Sequence, residues 1–210
     1  MEIKFFTFNE FLENTYVLFD ETRECIIIDP GCNNDSERKA LMYFIEEHQL
    51  TPKHVINTHC HIDHILGNQY VCEKFHLALE SHEGEEIVLS SAPQVAQMYG
   101  IDYTPSPKIS HYLIEGAEVK FGNTTLEIIE TPGHSPASIS LYCREKGILI
   151  CGDVLFSGSI GRTDLPGGNY NLLISIISEK FFTLDDQTKV YPGHGPMTTI
   201  GIEKATNPFF

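Results

Sequence analysis

Thr58-His59-Cys60-His61-Ile62-Asp63-His64 places three imidazoles and one carboxylate within six residues, directly behind the apolar pair Val55-Ile56. If Val55–Asn57 is a strand, the residues that follow are its exit loop, and their side chains can converge on one point. His59 and His61 are two apart, so in an extended segment both leave on the same side. Asp63 and His64 fall where the loop turns into a helix and can face that point from another angle. Divalent metals of borderline softness take imidazole and carboxylate ligands of this kind. One or two histidines in a polar turn carry no such meaning; this density of donor groups does.

The 210 residues are enough for one sizeable core, and a single domain spanning 1–210 is expected. The net charge of -15 argues against a nucleic-acid binder, which needs a basic surface. No apolar run reaches the length that spans a bilayer, so no membrane association is expected. The N-terminal Met1-Glu2-Ile3-Lys4-Phe5-Phe6 does not read as a signal peptide. The six cysteines include no C-x-x-C pair, and Cys25, Cys143 and Cys151 fall in or beside strand-like runs, where they read as small buried residues. Free thiols and a cytoplasmic location follow as expectations.

Around the histidine stretch, Ile3–Phe8, Thr15–Phe19 and Cys25–Ile28 read as strands, the last ending in the turn Asp29-Pro30-Gly31. Asn34 and Glu37 have capping-box spacing, and Ala40, Leu41, Phe44 and Ile45 recur at helical spacing up to Thr51-Pro52. His64–Phe75 suits a helix, Leu77–Glu80 a strand, and Glu83–Tyr99 a helix interrupted at Pro93. Asp102–His111 reads as a loop. Val119–Phe121, Leu126–Ile129, Ile139–Cys143, Ile148–Cys151 and Lys189–Tyr191 read as strands and Asn171–Phe182 as a helix. Strands alternating with helices argue for an α/β layer. Two such halves suggest two sheets face to face with helices outside.

Three later positions share one shape: a strand-like run, then a donor residue in a loop rich in Gly or Pro. Leu126–Glu130 leads to Thr131-Pro132-Gly133-His134, Ile148–Cys151 to Gly152-Asp153, and Val190-Tyr191 to Pro192-Gly193-His194-Gly195. Gly and Pro let the backbone turn sharply there and approach a ligand closely.

His59-x-His61-x-Asp63-His64 with His134, Asp153 and His194 resembles the metallo-β-lactamase superfamily. Gly152-Asp153-Val154-Leu155-Phe156, Gly158-Ser159-Ile160-Gly161-Arg162-Thr163-Asp164 and the closing Thr199–Lys204 with Asn207-Pro208-Phe209 are similar to its short glyoxalase II-like hydrolases. The resemblance implies an α/β (α+β) fold, a four-layer αββα sandwich of two mixed sheets with the metals at one edge. It implies two divalent metal ions, zinc before iron or manganese. His59, His61 and His134 would hold one, Asp63, His64 and His194 the other, with Asp153 bridging and Asp63 also catalytic. A hydroxide between the metals would cleave a small anionic thioester such as an S-2-hydroxyacyl glutathione. A thiol leaves readily as thiolate, which suits this centre.

Asp29 can accept the outer N–H of a liganding imidazole, or simply cap its own turn. Arg162 is the candidate for a substrate carboxylate, by the fork geometry of guanidinium, with Tyr170 as a further substrate contact. Cys60 should point away from the two ligands flanking it. His48, His54, His76, His82 and His111 have no donor cluster around them and are expected to be solvated or hydrogen-bonded. The tail after His194 is short beside the helical extension of the longer glyoxalase II enzymes, so the resemblance leaves the thiol open. It also leaves open a mononuclear-iron persulfide dioxygenase, or a lactonase on the same centre. The oligomeric state is not legible.

Overall fold

The computed structural model describes all 210 residues. The chain first builds β1 (Glu2–Phe8), β2 (Glu13–Phe19), β3 (Glu24–Ile28), β4 (Thr51–Ile56), β5 (Leu79–Ser81) and β6 (Ile109–Tyr112), which are neighbours in that order in one sheet. β1, β2 and β3 pair antiparallel, and β3 to β6 pair parallel. It then builds β7 (Glu118–Phe121), β8 (Thr124–Glu130), β9 (Ile139–Cys143) and β10 (Ile148–Gly152). A separate hairpin of β11 (Leu155–Phe156) and β12 (Ser159–Ile160) follows, then β13 (Lys189–Pro192) and β14 (Thr198–Thr199). The second sheet has the order β14-β13-β10-β9-β8-β7 and is antiparallel except for β10 with β13.

The helices are α1 (Asp35–Glu47), α2 (Ile62–Ile65), α3 (Asn68–Phe75), α4 (Glu86–Tyr99), α5 (Tyr170–Ile176) and α6 (Ile200–Thr206). Strand periodicity assigns the layers, because successive side chains take opposite faces. Tyr16, Leu18, Ile26, Ile28 and Ile56 face Leu126, Ile128, Ile139, Leu141 and Ile150 between the sheets. Their neighbours Val17, Cys25, Ile27 and Val55 point the other way, onto Leu41 and Ile45 of α1, Ile65 of α2, Val71 of α3 and Ala92 and Ala96 of α4. On the far side, Leu149, Cys151 and Val190 pack on Leu173 of α5 and Ile200 of α6. Three apolar layers between four structural ones make the αββα sandwich. They also explain why β3 and β10 read as unbroken apolar runs: each is buried on both faces.

The topology gathers the functional loops. Two antiparallel pairings separate β8 from β10, so both run the same way, and β13 is parallel to β10. The chain therefore leaves all three at one edge. The end of β4 reaches that edge from the other sheet, where the Ile139 N–H donates to the Thr58 carbonyl at 2.8 Å. The Asn14 N–H donates to the Gly193 carbonyl at 2.7 Å, and the Tyr16 hydroxyl to the Pro192 carbonyl at 2.6 Å.

Several boundaries differ from the sequence reading. Thr51-Pro52 opens β4 rather than only closing α1, with Pro52 next to a register shift that spares its missing N–H. The expected helix His64–Phe75 is two helices parted at Leu66-Gly67, where a Cβ on Gly67 would meet the Pro30 carbonyl at 2.6 Å. α4 runs unbroken through Pro93, held by burial of Ala92 and Ala96 and closed by Gly100 at φ 70°. The loop Asp102–His111 ends in β6, an edge strand whose exposed Ser110, His111 and Tyr112 hid its pairing with β5. The helix Asn171–Phe182 starts at Tyr170 and ends in a π turn over Ile177–Phe181.

Candidate metal centre

All seven donor residues meet at the shared edge. His59 and His61 lie in the loop from β4 into α2, and Asp63 and His64 lie in the single turn of α2. His134 follows β8, Asp153 follows β10 and His194 follows β13. Two candidate metal-binding clusters result, one of His59, His61 and His134, the other of Asp63, His64 and His194, and a third group, Asp29, His59 and His64, shares a residue with each. In the first, His61 Nδ1 and His134 Nε2 are 2.9 Å apart. In the second, His194 Nε2 lies 3.0 Å and His64 Nε2 3.5 Å from Asp63 Oδ2. Asp153 lies between them: Oδ1 is 3.5 Å from His64 Nε2, and Oδ2 is 3.6 Å from His134 Nε2 and 3.5 Å from His194 Nε2.

Four rings are oriented by bonds on their outer nitrogen. His64 Nδ1–H donates to Asp29 Oδ2 at 3.1 Å, and His134 Nδ1–H to the Arg162 carbonyl at 2.7 Å. His194 Nδ1–H reaches the carbonyls of Phe11 and Leu12 at 3.1 and 3.2 Å. His59 Nδ1–H donates to Thr58 Oγ1 at 3.1 Å, and that hydroxyl donates to Asp29 Oδ2 at 2.6 Å. With Nδ1 carrying the proton, Nε2 presents a lone pair inward. Three of the inward atoms, His59 Nε2, His64 Nε2 and Asp153 Oδ1, are buried and meet no hydrogen-bond partner. Such atoms cost free energy unless something binds them. A cation answers that need, and the donor set fits one chemically.

Close approach depends on glycine at two places. A Cβ on Gly193 would strike Asp153 Oδ1, and Gly152 holds φ 53° with no room for a Cβ beside Thr58. These are the glycines that precede His194 and Asp153.

The protein's own charges set the protonation pattern. Burial, then the neighbouring imidazoles, depress His59, and burial with His134 lowers His61 to about 4. Burial would also depress His64 and His194, but Asp63 and Asp153 outweigh it and raise both, helped at His64 by Asp29. Burial pushes Asp63 and Asp153 up, but His64 and His194 prevail and hold both carboxyls below their ordinary range.

Asp29 bonds Thr58 through its N–H (2.7 Å) and its hydroxyl, and His64 through the ring. The guanidinium of Arg162 is exposed and forks onto Asp164, with both hydrogen bonds at 2.7 Å; its carbonyl is the part that touches the centre. Tyr170 opens α5 with its ring half-exposed. Cys60 is buried and its thiol lies outside both clusters, and all six cysteines are free and buried. His54 and His82 pair with Glu80 and Glu130, away from the centre.

Sequence reading missed Thr58, Asn14 and Glu85. Asn14 Nδ2 donates to the Pro192 and Gly195 carbonyls at 3.1 and 2.9 Å, bracketing His194. A signal existed: Glu13-Asn14-Thr15 are consecutive polar residues at the head of a strand that is otherwise buried and apolar.

A sequence model of the Metallo-beta-lactamase superfamily matches residues 9–194. The hydroxyacylglutathione hydrolase GloC of Haemophilus influenzae is 36% identical over 216 residues, covering 100% of this chain and 98% of that protein. Among solved structures, the BLEG-1 B3 metallo-beta-lactamase superposes with TM-score 0.89 at 37% identity, covering 99% of both chains. TTHA1623, solved in a di-iron-bound form, superposes with TM-score 0.89 at 31% identity, covering 99% of this chain and 100% of that one.

Proposed function

The chain belongs to the metallo-beta-lactamase superfamily, and from that premise we propose a binuclear thioester hydrolase acting on a small anionic substrate such as an S-2-hydroxyacyl glutathione. His59, His61 and His134 would hold one cation and Asp63, His64 and His194 the other, with Asp153 placed to serve both. The observation that carries this is the set of inward-facing, unpartnered buried atoms on His59, His64 and Asp153. Zinc is the proposed metal; the same imidazole and carboxylate donors accept iron or manganese. Such cations supply a water acidified to a pKa of about 7 and a Lewis acid for the carbonyl oxygen.

The side chains do the rest. Asp29, Thr58 and the Arg162 carbonyl hold the rings in the tautomer that faces inward. Asp63 turns Oδ2 toward His64 and His194, leaving Oδ1 to take the proton of the attacking water. A thiol of pKa about 8.5 leaves as thiolate without a donated proton, and no further acid in the centre is required of the residues. Arg162 and Tyr170 are proposed substrate contacts, Arg162 after its guanidinium exchanges Asp164 for a substrate carboxylate. The buried free thiols support a reducing compartment, the cytoplasm.

The test is thiol release from a panel of glutathione and other thioesters by metal-loaded protein, with a β-lactam, a lactone and glutathione persulfide alongside. Thioester turnover well above the others is expected. Oxygen uptake on the persulfide with one iron per chain would replace this reading with a dioxygenase. β-Lactam turnover alone would replace it with an amide hydrolase, the activity named for one similar structure.

A further inference from the structure

Glu85 lies in the 3-10 turn that precedes α4, and its side chain is fully buried. Its carboxylate accepts three hydrogen bonds, all from neutral donors. Oε2 takes the Cys60 N–H at 2.8 Å. Oε1 takes the Ser135 hydroxyl at 2.6 Å and the Ala137 N–H at 2.9 Å. Cys60 stands between His59 and His61, and Ser135 directly follows His134. One carboxylate therefore grips both segments that deliver the first cluster, although they are far apart in sequence. Burial raises its carboxyl, opposed by those donors. No donor of the second cluster touches it.

We infer that Glu85 is a positioning residue for the first cation site: it fixes the His59–His61 loop against the His134 loop and supplies a buried negative charge behind an all-imidazole cluster. The inference rests on the two-cation reading above. Glutamine is its near-isostere but carries one oxygen and one NH2 group. In either orientation it turns a donor toward one buried backbone N–H, of Cys60 or of Ala137, and it removes the charge. Outer partners of this kind change metal affinity by about 10- to 100-fold.

The experiment dialyses metal-loaded wild type, Glu85→Gln and Ser135→Ala against graded chelator and counts the metals kept per chain. Cobalt-substituted samples are followed by their visible absorption, which reports each site's geometry. Glu85→Gln is expected to give up one cation at about 10- to 100-fold lower chelator than wild type and to hold the other at the wild-type level. Ser135→Ala, which deletes one of the three bonds, is expected to move the same cation less. Retention of both cations as in wild type, or equal weakening of both sites, overturns the inference. If Glu85→Gln does not fold, Ser135→Ala decides it by the same criteria. A wild-type chain that never holds two metals would instead remove the reading beneath it.

Discussion

The two halves of the centre meet at Asp153 but are built from different materials. The half made by His59, His61 and His134 has three imidazoles and no carboxylate of its own, and its negative charge stands behind it on Glu85, bonded to backbone. The half made by Asp63, His64 and His194 carries a carboxylate in the cluster, with Asp29 hydrogen-bonded directly to a ring. The consequence is opposite proton affinity: His59 and His61 are pushed down, while His64 and His194 are pushed up. His59 and His61 are therefore neutral at pH 7 and take a cation without shedding a proton. The second half must shed protons, so its affinity depends more on pH. A binuclear site assembled this way has one anchoring half and one adjustable half.

Asp153 is the only carboxylate within 4 Å of imidazoles from both halves, so its loss should be the most severe. Asp153→Ala is expected to lower kcat/KM at least about a thousandfold, roughly 4 kcal/mol of transition-state stabilisation, with the metal count falling below two per chain. Steady-state kinetics with metal analysis checks it. A variant with near-normal rate and full metal would mean that the halves work independently.

Asp29→Asn breaks the symmetry from the other side. Asp29 sits at φ 50°, a conformation asparagine tolerates, so the fold should hold. Loss of the charged acceptor behind His64 is expected to weaken the second cation by about 10- to 100-fold and to move the first less, through Thr58 and His59, the opposite order to Glu85→Gln. Chelator titration reads both.

Lowering the pH sharpens the same contrast. Because His64 and His194 are raised above the ordinary imidazole value of about 6.5, protons compete with the second cation already near neutrality. Its apparent affinity should fall by up to about tenfold per unit for each proton taken up, while the first cation, with His59 and His61 pushed down, should persist to lower pH. Isothermal titration in buffers of different ionisation enthalpy counts the protons released. Loss of the first cation before the second would contradict the asymmetry.

His54 and Glu80 provide the small-effect reference: an imidazole–carboxylate pair at 2.6 Å outside the centre. The hydrogen bond to Glu80 raises His54 despite burial. A raised folded-state value means the stabilisation is fully present below about pH 6.5 and is lost as pH rises through it. His54→Gln should cost less than about 1 kcal/mol at pH 6 and less still at pH 9, by urea denaturation at the two pH values.

How much of this was legible follows from how each contact is made. His59, His61, Asp63 and His64 are contiguous, and His134, Asp153 and His194 each end a strand in a Gly or Pro loop, so sequence alone exposed them. The two-sheet layering was legible from two successive halves, each a run of strands with helices. Glu85 was not: an acidic residue at a helix start looks solvated, and two of its three partners are backbone N–H groups that any residue but proline supplies. Arg162 stood out for its guanidinium, whereas the contact of its carbonyl with the His134 ring is a backbone contact that its residue type does not announce. Pro93 suggested a break because its local cost is visible in sequence, whereas the burial of Ala92 and Ala96 is not.

The most direct measurement is anomalous scattering from crystals of the metal-loaded protein. The account predicts two peaks per chain flanking Asp153, one within bonding distance of His59, His61 and His134, the other of Asp63, His64 and His194. A single peak, or peaks away from Asp153, would contradict it.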